Sequence, residues 1–123
     1  MLFRLDFQSA VPIYRQIRDQ VVLAVAEGRL APGEHLPTTR ALAEDAGINV
    51  MTVSKAYQLL KAEGYLAADR RSGAVVCVPP GSRALTADQL ARLRLLAGEA
   101  RLAGLSKEDF LAQCAAVYGE TEG

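Results

Sequence analysis

Three short stretches of the sequence carry polar side chains that a helix or strand does not need for its own stability. The first two begin helical segments, and the third is a charged tip between two apolar runs. Hydroxyls, cations and the N–H groups of a helix N-terminus are the groups that hold phosphate in proteins. Several of these side chains could therefore contact phosphate, and the candidate binding residues at the three places are Thr38, Thr39 and Arg40; Asn49, Val50, Met51, Thr52, Ser54 and Lys55; and Arg70, Arg71, Ser72 and Gly73.

Few residues in this chain could take part in catalysis. His35 is the only histidine, and Cys77 and Cys114 lie far apart without the spacing of a metal site. The sequence has no cluster of His, Cys and Asp and no phosphate-cradling glycine loop, so neither an acid–base pair nor a metal centre can be assembled. We expect no enzyme activity, no metal and no cofactor.

Composition limits the setting in which the protein works. The chain has 123 residues, half of them apolar, which is enough for one modest core and a small appendage. No apolar run approaches the roughly 18 residues of a membrane span, and the N-terminus lacks the apolar block of a signal peptide. With no disulfide framework either, we expect a cytoplasmic protein without a membrane partner. Since the net charge is zero, a DNA-binding surface must come from the local placement of cations.

Helical periodicity predicts three helices in the first half of the chain. One covers residues 12–28, the second runs from a cap at Thr38 or Thr39 to about Ala46, and the third covers residues 50–63. The residues predicted to face inward on the second and third helices are Leu42, Ala43, Ala46, Val53, Ala56, Tyr57 and Leu60.

After Gly64 the period changes to that of strands. Residues 65–67 and 74–78 read as two short strands that the charged tip joins into a hairpin. A helix, a helix–turn–helix and a hairpin make a winged helix–turn–helix over residues 1–80, whose third helix enters the major groove of DNA. The expected fold class is mainly α with a small β-hairpin, followed by a C-terminal two-helix dimerisation hairpin.

The break at Pro79-Pro80-Gly81-Ser82 starts a second unit, residues 81–123. Helices are predicted over residues 86–103 and from Ser106 onward, where the sequence has a capping pattern. Their apolar residues exceed what two helices can bury against each other, which favours a homodimer. The alternative is that this hairpin packs on residues 12–28 of its own chain. The expected dimer residues are Leu90, Leu93, Leu96, Ala97, Ala100, Phe110, Leu111, Cys114, Val117 and Tyr118.

Residues 31–66, APGEHLPTTRALAEDAGINVMTVSKAYQLLKAEGYL, resemble the DNA-binding domain of the GntR family of bacterial transcription regulators. The family motif has a Pro-Gly turn, Leu-Pro-Ser-x-Arg-x-Leu-Ala, a Gly-Val turn, Thr-Val and a Leu-x-x-x-Gly exit, and the similarity covers about residues 12–78. The short tail resembles the YtrA-like branch, which has two helices where larger relatives carry an effector domain. This resemblance implies a dimeric repressor that binds a near-palindromic operator in double-stranded DNA.

Single positions carry roles over from the resemblance. Arg40 matches a family arginine that contacts DNA, and Thr38 and Thr39 stand just before it. Val50 lies where relatives carry arginine or proline. The side chain of valine cannot donate a hydrogen bond, but it can pack on a thymine methyl group. The remaining matches are Thr52 in the first turn of the recognition helix, Ser54 where many relatives have arginine, Lys55 as the nearest cation, and Gly73 of the wing with Arg70 and Arg71 ahead of it.

Each of these residues has an alternative structural interpretation. Arg40 could pair with Glu44 one helical turn later, the threonines could serve only as caps, and the arginines before Gly73 could form a solvated tip. Tyr57 is predicted to be a core residue, not a base-stacking ring. Together, however, the candidates fall on the elements that face DNA, which favours DNA binding over a winged helix used only for protein contacts. Residues 81–123 are too few to enclose a ligand cavity of roughly 300 Å³, so no small-molecule effector is assigned.

Overall fold

The protein is described by a computed structural model that covers residues 3–69 and 73–119. The chain forms two compact units, residues 1–80 and 81–123. Within the described ranges, no helix is long and apolar enough to cross a membrane. The elements in chain order are α1 (Ile13–Ala26), β1 (His35–Leu36), α2 (Thr39–Ala46), α3 (Val50–Glu63), β2 (Leu66–Asp69), β3 (Gly73–Val76), α4 (Ala87–Leu102) and α5 (Lys107–Tyr118).

The helices of the first unit begin and end close to the predicted residues. Gly47 and Gly64 follow α2 and α3 in the left-handed conformation, which a residue without a Cβ adopts at little cost. Helix α3 lies centrally and packs against both α1 and α2. The mainly α fold with a small sheet is the one that the sequence predicted, and α3 occupies the place of the recognition helix.

The sheet has three antiparallel strands in the order β1-β3-β2, one more than the predicted hairpin. Strands β2 and β3 form that hairpin, although β3 ends at Val76 and not at residue 78. Strand β1 has two residues and pairs Leu36 with Ala74 of β3. Because β1 leads directly into α2, its pairing with β3 ties the base of the wing to the start of the helix–turn–helix.

One core holds the first unit together. The predicted inward-facing residues of α2 and α3 are buried, except that Ala46 is half-buried. Phe3 was not predicted to be buried, yet it completes the core because amide side chains of α1 hold the N-terminal segment in place. Gln20 accepts from the Arg4 N–H at 2.9 Å and donates to its carbonyl at 2.7 Å. The buried residues in the described ranges are Phe3, Ile17, Val21, Ala24, Leu30, Leu36, Leu42, Ala43, Val53, Ala56, Tyr57, Leu60, Leu66, Ala74 and Val76.

The second unit consists of α4 and α5, each with the predicted cap. Thr86 forms a capping box with Gln89, and the Ser106 hydroxyl accepts from the Asp109 N–H at 3.1 Å. No residue of either helix is buried. Two helices with well-formed ends therefore present their apolar side chains largely to solvent.

Candidate nucleic-acid interface

The start of α2 brings the first candidate set to the surface. Thr38 is the N-cap, and its hydroxyl oxygen accepts a hydrogen bond from the Ala41 N–H at 3.1 Å. The Thr38 proton is still available to donate, so capping and phosphate contact are compatible. Thr39 is half-buried in the first turn. Arg40 is exposed, and within the described part of the chain it forms no ion pair with Glu44 or any other residue.

A buried tyrosine on α3 fixes where α2 begins. The Tyr57 hydroxyl donates to the Pro37 carbonyl at 2.7 Å, immediately before the Thr38 cap. Its side chain is only 3% exposed, as expected for a core residue. Burial raises the pKa of Tyr57, so the hydroxyl keeps its proton and remains a donor. Helix α3 thus holds Pro37, the residue before the N-cap of α2, in place.

The start of α3 carries the second set. Asn49 is its N-cap, and the side-chain oxygen accepts from the Met51 N–H at 2.7 Å. The Asn49 amide nitrogen remains free of that bond and can donate to a phosphate or a base. Val50 and Met51 are 42% and 73% exposed. Exposed apolar side chains at the tip of a recognition helix are suited to contact with thymine methyl groups.

One side of α3 forms a shallow depression of about 440 Å³, lined by Asn49, Met51, Thr52, Ser54, Lys55 and Gln58. Five of these residues are predicted contacts, and the structure brings them together. Gln58 was missed, although its place one helical turn after Ser54 and Lys55 could have identified it. An amide at this position can form a bidentate pair with adenine.

Helix α1 supports the cation of this surface. The Lys55 ammonium nitrogen lies 4.2 Å from the centroid of the Tyr14 ring, a cation–π distance. At the other end of α3, Arg18 of α1 donates to Glu63 at 2.8 Å and to Asp19 at 2.9 Å. Partial burial opposes the charge of Arg18, but the two hydrogen bonds outweigh it and raise the pKa. Helix α3 is therefore anchored to α1 along its length.

The wing is represented by Gly73, since the candidates Arg70, Arg71 and Ser72 lie outside the described residues. Gly73 has φ 93°, which explains the glycine. A Cβ on it would be 3.8 Å from the Cα of Thr38, an ordinary contact distance. The base of the wing thus adjoins the cap of α2, and two of the three candidate sets meet there.

The candidate dimer residues surround a groove of about 400 Å³ between α4 and α5. It is lined mostly by apolar side chains. Leu90 and Leu111 are exposed beyond it, and Ala97 lines a neighbouring depression with Ala100 and Phe110. The lining of the groove itself is Leu93, Leu96, Ala100, Leu105, Phe110, Gln113, Cys114, Val117 and Tyr118.

A helix–turn–helix with a sheet beside it and exposed polar residues along its second helix is the architecture of winged-helix DNA-binding proteins. Comparison with known proteins identifies the family: residues 13–76 match the bacterial regulatory proteins of the gntR family, and the chain belongs to that family. It is a DNA-binding regulator of transcription and not an enzyme.

Individual relatives agree with this assignment. The chain is 34% identical over 107 residues to the HTH-type transcriptional regulator Rv1152 of Mycobacterium tuberculosis, covering 86% of this chain and 85% of Rv1152. It is 37% identical over 75 residues to the HTH-type transcriptional repressor YtrA of Bacillus subtilis, covering 61% and 58%. The solved structure of YtrA from Sulfolobus acidocaldarius, a GntR-family transcription factor, superimposes with a TM-score of 0.63 at 33% identity over 81% of this chain and 99% of that one.

Proposed function

We propose that the protein is a dimeric repressor of the YtrA-like branch and that it reads its operator with the exposed side of α3. The observation that carries this proposal is the depression in which Met51, Ser54, Lys55 and Gln58 stand side by side on one face of the recognition helix. That face presents a hydroxyl, an amide, an ammonium and a thioether, which together suit mixed base readout in a major groove.

Phosphate contacts are proposed for the ends of this surface. On one side of this surface are the groups at the starts of α2 and α3, namely Arg40, the Thr38 hydroxyl and the Asn49 amide. The wing residues Arg70 and Arg71 are assigned from the family resemblance. Such contacts fix the orientation of the protein on the duplex while the recognition helix reads the bases. A neutral protein can bind DNA in this way because affinity depends on the cations at the interface, not on the net charge.

The dimer is proposed from the unburied tail. Helices α4 and α5 have capped N-termini and many apolar residues, yet neither contains a buried residue. Helices of this kind gain stability by burying an apolar face against another element. The α4–α5 groove of a second chain supplies such an apolar surface. Two recognition helices then meet half-sites of a near-palindrome about one helical turn apart.

Repression is proposed because a bound dimer covers promoter DNA, and because YtrA of Bacillus subtilis is named a repressor. The protein works where the chromosome is, which in a bacterium is the cytoplasm. A winged helix used only for protein contacts is the alternative, and it requires neither Arg40 nor Gln58.

Fluorescence anisotropy with a fragment of the protein's own promoter tests the interface. Arg40→Ala should weaken binding to all sequences and reduce the slope of log affinity against log salt by about 0.9, as for one lost phosphate contact. Gln58→Ala should mainly reduce the preference for the specific sequence. Lys61→Ala is the matched control because this exposed cation lies in the last turn of α3. Wild-type binding by both test variants would contradict the proposed interface.

Sedimentation velocity tests the dimer. Val117→Glu places a charge in the groove between α4 and α5 and should convert a dimeric wild-type protein into a monomer. A wild-type protein that is monomeric at micromolar concentration would instead favour packing of the tail on its own chain.

A further inference from the structure

Helix α4 has apolar side chains on two opposite sides. One side, with Leu93, Leu96 and Ala100, faces the groove that it forms with α5. The other side carries residues at spacings of four, three and four, and we call it the outer face of α4: Ala91, Leu95, Gly98 and Leu102. Leu95 is 66% exposed and Leu102 is 90% exposed. Alternating spacings of three and four keep a row of residues turned toward one partner helix.

Gly98 has no explanation within its own chain. It lies inside α4, where glycine is less favourable than alanine. It does not have a positive φ, and a Cβ built on it would find no atom within 4 Å outside its own stretch of helix. A glycine in the middle of an apolar helix face allows another backbone to approach closely. A close contact with a second molecule would account for this glycine.

The charges beside the outer face indicate what approaches it. Arg94 and Arg101 follow one edge, and the opposite edge has Glu99 together with Arg92, which lies 3.6 Å from Asp88. In the part of the chain that the structure describes, neither Arg94 nor Glu99 takes part in an ion pair. Both charges remain available to a partner.

A second copy of α4 complements this charge pattern in one orientation. When two helices pair in parallel around a two-fold axis, the arginine edge of one helix faces the glutamate edge of the other. Arg94 then lies opposite Glu99 of the second copy, five residues further along. In an antiparallel pair the two arginine edges would face each other and repel, which would offset the attraction between Arg92 and Glu99 at the other edges.

We propose that the outer face of α4 is a second self-association surface, which takes the outer face of α4 from another copy in parallel orientation. This proposal rests on the dimer proposed above, because the outer face lies on the side of α4 opposite the groove through which that dimer would form. The paired stretch is only about 16 Å long and buries far less than the roughly 1,000 Å² of a stable interface. Its effect falls on dimers that are already neighbours on one DNA molecule, where the effective concentration is high.

Sedimentation of the full chain from micromolar to millimolar concentration tests this surface. The wild-type protein should pass from dimers to tetramers and longer assemblies, because each dimer has two outer faces, and Leu95→Glu should remain a dimer at every concentration. The groove variant Val117→Glu is the control, because it should remove the dimer itself. Tetramers of Leu95→Glu equal to those of the wild type, or a wild-type protein that never exceeds a dimer, would overturn the proposal. Monomers of Leu95→Glu would also overturn it, since the outer face would then be the primary interface.

Two further variants separate this contact from effects on folding. Gly98→Ala should raise the thermal stability of the helix and yet weaken dimer–dimer association about tenfold, because the added Cβ separates the two backbones. Arg94→Glu should weaken association by roughly tenfold through repulsion from Glu99 of the second copy, and adding Glu99→Arg should restore it. An unchanged association constant for Gly98→Ala, or stronger association for Arg94→Glu alone, would refute the parallel pairing.

Discussion

Removal of one hydroxyl group should show how far α3 determines the position of α2. In Tyr57→Phe the buried ring stays in place, but the 2.7 Å hydrogen bond to the Pro37 carbonyl is lost. A typical internal hydrogen bond contributes about 0.5–1.5 kcal/mol to the free energy of unfolding. Because Pro37 is an exposed residue and water can reach it, we expect the middle of this range, about 1 kcal/mol. For a domain of this size that corresponds to a melting temperature lower by roughly 4–8 °C.

Urea denaturation followed by circular dichroism measures this loss. Tyr65→Phe is the matched control, because Tyr65 is half-buried and its hydroxyl forms no hydrogen bond with the described residues. Promoter affinity should also fall in Tyr57→Phe, since Thr38 and Arg40 follow directly after Pro37, while it should not change in Tyr65→Phe. If both variants unfold at the same urea concentration as the wild type, the Tyr57 hydroxyl does not hold the start of α2.

Three more outcomes follow from the site. Burial raises the pKa of Tyr57, so its contribution to stability is complete below pH about 10, the pKa of an unfolded tyrosine, and is lost as the pH rises above that value. The difference in unfolding free energy between wild type and Tyr57→Phe should therefore stay constant from pH about 8 to about 9 and shrink once the pH exceeds about 10. Asn49→Ala should lower the free energy of unfolding in urea by about 1 kcal/mol, because the helix cap is lost. Asn49→Asp should keep the cap and the stability but bind DNA at least about tenfold more weakly. Equal binding by the Asp and Asn proteins would argue against a phosphate at that position. Tyr14→Leu should weaken promoter binding about two- to threefold in anisotropy measurements, because the Tyr14 ring holds the Lys55 ammonium extended. In a Lys55→Met background the same substitution should have no effect. Additive losses in the double variant would exclude that role of the ring.

The helices could be predicted from the sequence because each one has its own local signals. Hydroxyl and amide caps, glycine stops and helical periodicity all lie within a few residues of the ends that they determine. The candidate interface was predicted from signals of the same kind, because the polar residues Asn49, Thr52 and Ser54 lie together at the start of a helix whose inward face is apolar.

The missed features depend on contacts between distant residues. Strand β1 has only His35 and Leu36, too few for a period, and it exists because β3 pairs with it. Phe3 is buried because side chains of α1 hold the backbone of its segment, which no local pattern reveals. Gln58 is different, because its spacing of four residues from Ser54 and three from Lys55 places it on the same side of α3, and that spacing could have been read from the sequence.

The lack of any buried residue in α4 and α5 has a consequence for gene control. In the proposed dimer, folding of the tail is linked to its assembly, so the amount of dimeric regulator would depend on the square of the monomer concentration. Halving the monomer concentration then lowers the dimer concentration about fourfold. The proposed dimerisation through a short tail would thereby make the response of a promoter to protein dosage steeper than linear.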